Sequence, residues 1–446
     1  MSDRPVPELG GRTPLMAAVK PNMERLAREG CVGLVRTCPA GFPVGTEIGT
    51  MTLMGYEPAR YFSGRGPLEA LGRGIELRKS EVAWRCNLVT VKGEVMEDYS
   101  AGYITDPEAK QLIQMLDKRL GGDEIRFHPG VSYRHLMVWR GGADDVKTTA
   151  PHDIVGVPWR PHVPKGRGEA RLLALMEDSR VLLDGHEVNR ARRAKGLKSA
   201  NMIWLWSPGK TPVAPAIKDK YGVTGAVISA VDVVRGIGVM AGLEVIKVPG
   251  ATGYFDTNYT GKGAAAVKAL KTHDFVFVHV EAPDEAGHQG LANEKIKAIE
   301  AIDREIVGNL LRVVPKLGDM AILIAPDHAT PLTVRSHADD PVPYILWHSA
   351  PAGLAAPKPL TALANGELRS PPAPGPALAV GELRSPTAPA SAVELSRLAN
   401  GEPCLPTEPV PAAPTESVYD EESARSGPGV IEEGWKLLDR LFGRAV

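Results

Sequence analysis

Two short segments of the chain combine aspartate with histidine, and each directly follows an apolar run typical of a buried strand. Asp284 and His288 come after the run 274–280. Asp327 and His328 come after the run 320–325, and His337 follows nine residues later. Because ligands of open α/β sheets gather beyond the carboxyl ends of the strands, we expect these side chains to lie together. Aspartate and histidine together suit Zn²⁺, Mn²⁺ and similar ions, so the segments predict a divalent metal site; the alternative is strand-end caps and polar surface residues.

The residues between the two segments predict how the strands are connected. Apolar residues recur there at helical spacing. They are Ile296, Ile299, Ile302, Ile306, Val307 and Leu310. The pattern predicts a strand, a crossover helix and a second strand parallel to the first.

A candidate nucleophile is Thr46, which follows Gly45 a short distance after a predicted strand at 31–37. At the N-terminus of a helix, backbone N–H groups and the helix dipole favour an incoming phosphate. A metal-bound alkoxide is a competent nucleophile near neutral pH, which links Thr46 to the predicted metal site. The alternative is that Thr46 only caps the helix, with Glu47 in its first turn.

Composition excludes several classes of function. The net charge of −1 over 446 residues gives no reason to expect nucleic acid or an anionic membrane as a partner. Cys31, Cys38, Cys86 and Cys404 have neither metal-site spacing nor the pattern of a disulfide framework, so a cytoplasmic location is expected. No segment is apolar over the length that a membrane span needs, and no signal peptide opens the chain.

Longer motifs resemble a known family, the archaeal-type cofactor-independent phosphoglycerate mutases of the alkaline phosphatase superfamily. The segment DEAGH at 284–288, the pair Asp327-His328 and SHADDPVP at 336–343 are similar to the two-metal site of that superfamily. Other motifs are similar to the mutases themselves. They are GRGPLEA at 64–70, RCNLV at 85–89, VSYRH at 131–135, GAVISAVD at 225–232, PGATGY at 249–254, DTNY at 256–259 and VYDEESA at 418–424. The segment KPNMERLA at 20–27 is similar to the helix that follows the first strand in the superfamily.

The resemblance implies an α/β fold with an alkaline-phosphatase-like, mostly parallel sheet flanked by helices and a smaller inserted α+β domain. Residues 1–71 and 212–446 would form the metal-binding core, with its first strand apparently missing, and residues 72–211 the inserted substrate domain. Residues 349–416 hold fourteen of the 39 prolines, no aromatic residue and the repeated segment GELRSP, so they predict a disordered insertion within the core. After this insertion, Val430, Ile431, Trp435, Leu438 and Leu441 predict one face of a closing helix.

The resemblance also implies a reaction. Asp284, His288 and His337 would hold one divalent ion, and Asp327, His328 and Thr46 the other, the ions being Mn, Zn, Co or Mg. Thr46 would accept the phosphoryl group and return it to the reoriented glycerate, which interconverts 2-phosphoglycerate and 3-phosphoglycerate in glycolysis and gluconeogenesis without 2,3-bisphosphoglycerate. The partner would be this small phosphorylated hydroxy acid, and the protein a monomer or small homo-oligomer.

Four residues are candidates to bind the phosphate and carboxylate of such a substrate. Arginine forks pair with both groups, which points to Arg85, Arg134 and Arg235, and His135 adjoins Arg134 in the motif VSYRH. The alternative for each of them is a surface ion pair.

The chain departs from the family in three places. Thr46 replaces the usual serine, and Tyr103 stands where the family tends to have histidine. The family's first strand, which ends in Asp-Gly and supplies a ligand to the second ion, is absent before Met1. We therefore expect the genomic frame to continue upstream with an apolar run ending in Asp-Gly. Alternative functions are a related phosphotransferase such as a homoserine kinase, a phosphatase, or a catalytically impaired product that lacks this strand.

Overall fold

The computed structural model describes residues 1–349, 419–427 and 429–443. The predicted insertion at 349–416 therefore lies outside the described residues, apart from Ser349. The described part is a mixed α/β fold with several sheets. None of its helices is long and apolar enough to cross a bilayer.

The strands, in chain order, are β1 Cys31–Val35, β2 Glu81–Lys92, β3 Val95–Asp98, β4 Ile125–Val131, β5 Arg134–Arg140, β6 Met202–Gly209, β7 Gly225–Ile228, β8 Glu244–Ile246, β9 Phe275–Val278, β10 Ala321–Ile324, β11 Val342–His348 and β12 Val430–Ile431. The helices are α1 Pro14–Ala17, α2 Pro21–Glu29, α3 Thr46–Leu53, α4 Pro58–Tyr61, α5 Arg65–Gly72, α6 Asp106–Leu120, α7 Glu169–Asp184, α8 Glu187–Ala194, α9 Ile217–Tyr221, α10 Asp232–Met240, α11 Tyr259–Ala269, α12 Ala282–Gln289, α13 Ala292–Ala301, α14 Gly308–Leu317, α15 Glu421–Arg425 and α16 Leu437–Leu441.

A four-stranded mixed sheet, in the order β10-β11-β1-β12, carries one of the two predicted segments. β11 is antiparallel to both β10 and β1, whereas β12 is parallel to β1. Ile322, Ile345 and Trp347 of this sheet pack with Leu26 of α2 and Ile299 of α13 in one buried cluster. Asp327 follows the carboxyl end of β10.

A separate three-stranded sheet, in the order β8-β7-β9, is parallel throughout and carries the other segment. The prediction that the strands 274–280 and 320–325 belong to one parallel sheet is therefore wrong, because β9 and β10 are in different sheets. The predicted helix between them exists as α13, a π-helical stretch Ile302–Val307 and α14. The carboxyl ends of the two strands still meet, because His279 Nε2 after β9 lies 3.9 Å from Asp327 Oδ2 after β10.

Residues 81–209 contain a five-stranded antiparallel sheet in the order β3-β2-β5-β4, with β6 on the other side of β2. Every interior residue of β2 from Val82 to Val91 is buried, as expected for a central strand. Helices α6 and α7 bury Leu112, Leu116, Leu172 and Met176 against this sheet. The sheet thus has a hydrophobic core of its own.

The end of the chain differs from the prediction of a single helix. Val430 and Ile431 form β12 beside Leu34 and Val35 of β1, and only Leu437–Leu441 is α-helical, after a 3-10 turn at Gly434–Lys436. Pairing with the free edge of β1 satisfies backbone groups that a helix would have left unpaired at that edge. Leu437 and Leu438 are buried, so this segment still returns to the core.

Candidate metal centre

The structure brings Asp284, His288 and His337 together. One ligand atom from each lies within 4.8 Å of the others. His288 Nε2 lies 3.0 Å from His337 Nε2 and 3.3 Å from an Asp284 carboxylate oxygen. Asp284 and His288 are one turn apart on α12, which places both side chains on the same face of the helix. His337 reaches them from the loop between β10 and β11.

The orientation of the two imidazoles is fixed through their other ring nitrogens. His288 Nδ1 lies 3.1 Å from the Arg335 carbonyl and His337 Nδ1 2.9 Å from the Val44 carbonyl, and each can only donate to it. The Nε2 lone pairs therefore face each other and Asp284. Histidines that ligate metals have this arrangement.

The charge balance of this group is that of a cation site. Burial opposes protonation of His288, but the Asp284 carboxylate outweighs it and raises the pKa of His288 to about 9. For Asp284, burial is likewise outweighed by His288 and His337, which hold its pKa well below the usual range. The three side chains thus stabilise positive charge among their ligand atoms.

A second group of donors lies beside the first. Thr46 Oγ1 is 3.4 Å from His328 Nε2, which is 3.6 Å from Asp327 Oδ2. The His328 ring stacks at a tilt on His337, with ring centroids 4.1 Å apart, so the two groups are contiguous. Thr46 is the first residue of α3 and Gly45 is its N-cap, without a side-chain cap. The alternative that Thr46 is the helix cap is therefore wrong.

Thr330 joins the two groups. Its hydroxyl donates to Asp284 Oδ1 and lies 3.2 Å from His328 Nδ1, from which it accepts. This contact leaves His328 Nε2 as an acceptor facing Thr46. Nothing in the local sequence marks Thr330, because its role depends on how the loop after β10 packs on α12.

Small residues allow the elements of the centre to approach closely. A Cβ on Gly49 of α3 would lie 2.0 Å from the Asp327 carbonyl oxygen, and one on Gly287 of α12 would lie 2.4 Å from the Thr330 carbonyl oxygen. Glycine at these two positions is therefore required for the helices to reach the loop after β10.

Both donor groups fit divalent cations by their chemistry. Imidazole nitrogen, carboxylate and alkoxide oxygen are ligands for Mn²⁺, Zn²⁺ and Co²⁺. Asp327 Oδ2 is buried yet accepts no hydrogen bond from the described residues. A buried carboxylate oxygen without a donor is costly, and a bound cation would satisfy it.

Two of the four predicted substrate-binding residues, Arg85 of β2 and Arg134 of β5, lie on the antiparallel sheet. The Arg134 guanidinium lies 5.4 Å from the centroid of the Tyr133 ring. Burial opposes its charge, but Tyr133, Glu69 and, less strongly, Glu281 outweigh burial and raise the pKa of Arg134. Arg85 is buried, pairs with Glu69 and lies 5.0 Å from the Trp206 ring centroid.

The other two are not brought to the centre. His135 is fully buried, and its Nδ1 accepts a hydrogen bond from the Gly130 backbone. Burial, followed by the charge of Arg73, lowers the pKa of His135 to about 3. Arg235 is held on α10 by Asp232 at 2.7 Å and by the Ala230 carbonyl at 2.9 Å.

Two residues near the centre were not predicted from the sequence. Arg65, the first residue of α5, pairs with Glu47 at 3.2 Å and with Glu69 at 2.8 Å. His152 lies close enough to Arg65 and His337 to sense their charges, and its ring packs edge-on against Trp206. Arg65 is part of the motif GRGPLEA, so its position in that motif could have indicated it. His152 is in a short 3-10 helix, where no spacing of residues indicates a functional role.

Tyr103 belongs to an aromatic cluster that includes Tyr133, the neighbour of Arg134. Its hydroxyl is 3.2 Å from that of Tyr99, and both rings pack edge-on against Tyr133. Both tyrosines sense the charge of Glu285, the neighbour of Asp284 on α12. Tyr103, which departs from the family pattern, therefore lies within reach of the charge of Glu285.

Comparisons with known proteins agree on one family. A protein-family model described as 2,3-bisphosphoglycerate-independent phosphoglycerate mutase matches residues 27–189. A relative from Geobacter sulfurreducens, named "Probable 2,3-bisphosphoglycerate-independent phosphoglycerate mutase", is 50% identical and the match covers 100% of this chain and 98% of that protein. A relative of the same function name from Methanosarcina acetivorans is 47% identical over 78% of this chain and 88% of its own length.

A solved structure extends the agreement to the fold. The cofactor-independent phosphoglycerate mutase from Thermoplasma acidophilum is 25% identical, with a TM-score of 0.54, over 99% of this chain and 96% of that one. The similarity therefore includes both the segments that form the centre and the antiparallel sheet that faces it.

Proposed function

The chain belongs to the family of 2,3-bisphosphoglycerate-independent phosphoglycerate mutases, which are isomerases, and on this premise we propose that it interconverts 2-phosphoglycerate and 3-phosphoglycerate through a phosphoenzyme on Thr46. The observation that supports this most directly is the placement of the Thr46 hydroxyl 3.4 Å from His328 Nε2, at the N-terminus of α3. A hydroxyl beside an imidazole that can bind a divalent cation is placed to become a metal-bound alkoxide nucleophile.

In this proposal Thr46 Oγ forms a bond to phosphorus while the bond from phosphorus to the substrate oxygen breaks. Thr46 gives up its proton as this bond forms, and the leaving glycerate oxygen takes up one proton, so His328 Nε2 keeps its lone pair for the cation. In the second half the other glycerate hydroxyl attacks the same phosphorus, and its proton returns to Thr46. Protons and phosphoryl groups balance over the cycle, as an isomerisation requires.

The chain's own residues divide the remaining work. The first backbone N–H groups of α3 and its dipole favour the phosphate charge next to Thr46. Arg134 and Arg65 supply positive charge on the facing side for the carboxylate or phosphate. Two divalent ions, one held by Asp284, His288 and His337 and the other by Asp327, His328 and Thr46, would neutralise phosphoryl charge when bound.

We propose the matching domain organisation. Residues 1–71 and 212–446 are the alkaline-phosphatase-like core, and residues 72–211 are an inserted substrate domain whose antiparallel sheet presents Arg134 and Tyr133 to the centre. A role in glycolysis and gluconeogenesis, a cytoplasmic location and a monomer or small homo-oligomer stay predictions.

The test is conversion of 3-phosphoglycerate followed by ³¹P NMR, with Mn²⁺ and without 2,3-bisphosphoglycerate or ATP. We expect 2-phosphoglycerate to accumulate, and a chelator to abolish the reaction until Mn²⁺ is restored. Release of inorganic phosphate alone would instead identify a phosphatase. Phosphorylation of homoserine only when ATP is present would identify a kinase, and either result would overturn the proposal.

A further inference from the structure

His279 lies next to Asp327 of the second donor group. It directly follows β9, and its side chain is only 9% exposed. Its Nε2 lies 3.9 Å from Asp327 Oδ2, the oxygen that accepts no hydrogen bond from the described residues, and 3.4 Å from Glu281 Oε2. The ring therefore faces two carboxylates, and Asp327 is the one that belongs to the second donor group.

The other ring nitrogen of His279 contacts a serine hydroxyl. His279 Nδ1 lies 3.3 Å from Ser229 Oγ, which also accepts a hydrogen bond from the Val231 backbone N–H at 3.0 Å. With Nδ1–H donating to this hydroxyl, Nε2 presents a lone pair toward Asp327. His288 and His337 are oriented in the same manner, each through a contact at Nδ1.

The resulting set of acceptors requires positive charge. Asp327 Oδ2 lies 3.6 Å from His328 Nε2 and 3.9 Å from His279 Nε2, and His328 Nε2 is 3.4 Å from Thr46 Oγ1. Acceptors that face one another in a buried place repel unless a cation or a proton lies between them. The set has the imidazole and carboxylate donors that Mn²⁺, Zn²⁺ and Co²⁺ take.

We propose that His279 Nε2 is a further ligand of the second cation, beside Asp327, His328 and Thr46, and that Ser229 positions its ring. Glu281 lies on the same face, where its carboxylate adds negative charge next to that ion. This inference rests on the proposed function in assuming a second cation, and it assigns to β9 a ligand that comes before the DEAGH motif.

The experiment uses the full chain and Mn²⁺ as the probe. Calorimetric titration of the metal-free protein is expected to show two ions bound, and His279→Gln is expected to weaken one of them by at least about 10-fold while the other is unchanged. Pulsed EPR on bound Mn²⁺ should lose the ¹⁴N coupling of one imidazole. The matched control is His273→Gln, which alters a histidine just before the other end of β9, where it pairs with Glu244, and should leave both affinities unchanged.

Folding is checked separately. The melting temperature of metal-free His279→Gln should match that of the wild type, and Ser229→Ala should weaken the same ion by a smaller factor. Two unchanged affinities and an unchanged ¹⁴N spectrum in His279→Gln would overturn the proposal, as would a wild-type chain that binds only one ion. Failure of the proposed function gives a different result, namely two bound ions with no isomerisation of 3-phosphoglycerate.

Discussion

The Thr46 hydroxyl has one imidazole neighbour, and the contacts of that imidazole decide what the hydroxyl can do. His328 is buried, its Nδ1 donates to Thr330, and its Nε2 is left as the acceptor toward Thr46. A surface threonine would exchange such a contact for water. Here the surrounding side chains exclude that exchange, so the Thr46 hydroxyl and the His328 Nε2 lone pair stay side by side, where one cation could bind both.

Replacement of Thr46 tests this role directly. Thr46→Ala should abolish the phosphoenzyme, detected by intact-mass spectrometry after incubation with 3-phosphoglycerate. Because Gly45 is the helix cap, the same change should lower the free energy of unfolding by only about 1 kcal/mol, the contribution of one hydrogen bond. Thr46→Ser keeps the hydroxyl and should retain phosphoenzyme. A phosphorylated alanine variant would contradict the assignment.

At the scale of residues, the metal-binding side chains of the centre could be predicted from the sequence better than the side chains around them. Aspartate and histidine directly after apolar runs indicate strand ends, so Asp284, His288, Asp327 and His328 could be identified without coordinates. Thr330 could not, because a threonine in a loop carries no pattern and gains its role only through a tertiary contact. His135 shows the converse, since a residue adjoining Arg134 in a strand points to the opposite face of the sheet.

At the scale of elements, strand positions were predictable and strand neighbours were not. The apolar runs 274–280 and 320–325 contain β9 and β10, but the structure places these strands in separate sheets. An apolar run reports burial, whereas pairing depends on which edges the rest of the chain leaves free. The pairing of β12 with the edge of β1 could not be predicted either, because a strand of two residues is too short to show a periodic pattern.

Close packing of α3 on the loop after β10 leads to a prediction. Gly49→Ala would place a Cβ 2.0 Å from the Asp327 carbonyl oxygen, so the helix must move away. We expect a loss of about 1–3 kcal/mol in unfolding free energy and a larger loss of turnover than this destabilisation explains, because Thr46 moves with the helix. The control is Gly122→Ala, whose Cβ would meet nothing within 4 Å. Equal activity of the two variants would be evidence against this packing.

Helix α11 places a buried lysine near the centre, which predicts a pH effect. Lys262 donates to the His279 carbonyl at 3.0 Å, and burial lowers its pKa from 10.5 to about 8. Between these values the unfolded chain binds more protons than the folded one, so stability should rise with pH across that window. The gain from this group is about 3 kcal/mol at about 1.4 kcal/mol per pKa unit.

Urea unfolding of the metal-free protein at several pH values between 8 and 10.5 measures the effect of Lys262. Lys262→Met should remove this part of the rise, whereas Lys268→Met, on the exposed face of the same helix, should retain it. Parallel curves for the wild type and Lys262→Met would show that Lys262 titrates normally.

At the scale of the whole molecule, charged groups near the antiparallel sheet lie close enough to those of the metal centre to influence their pKa values. His152 and Arg134 approach from the sheet side, and His337 and Glu285 from the centre. In the proposed reaction, the Arg134 guanidinium on one side and the metal ligands on the other suit a substrate with a phosphate at one end and a carboxylate at the other. Binding at both ends would hold the glycerate while its two hydroxyls exchange places.

The segment before α1 is attached to the centre by a fully buried ion pair, which gives the last prediction. Lys295 of α13 donates to Asp3 Oδ2 at 2.7 Å, to the Thr330 carbonyl at 2.8 Å and to the Ser2 carbonyl at 3.2 Å, and neither charged side chain is exposed. Lys295→Met leaves Asp3 as an uncompensated buried charge, so we expect a loss of about 3–5 kcal/mol in unfolding free energy.

The Asp3→Asn, Lys295→Met double variant should recover part of this loss. Lys297→Met, which alters an exposed pair on the same helix, should change stability by at most about 1 kcal/mol. Because Lys295 also holds the loop that carries Thr330, its loss should weaken Mn²⁺ binding as well, and a variant with unchanged stability and unchanged affinity would show that this pair does not support the centre.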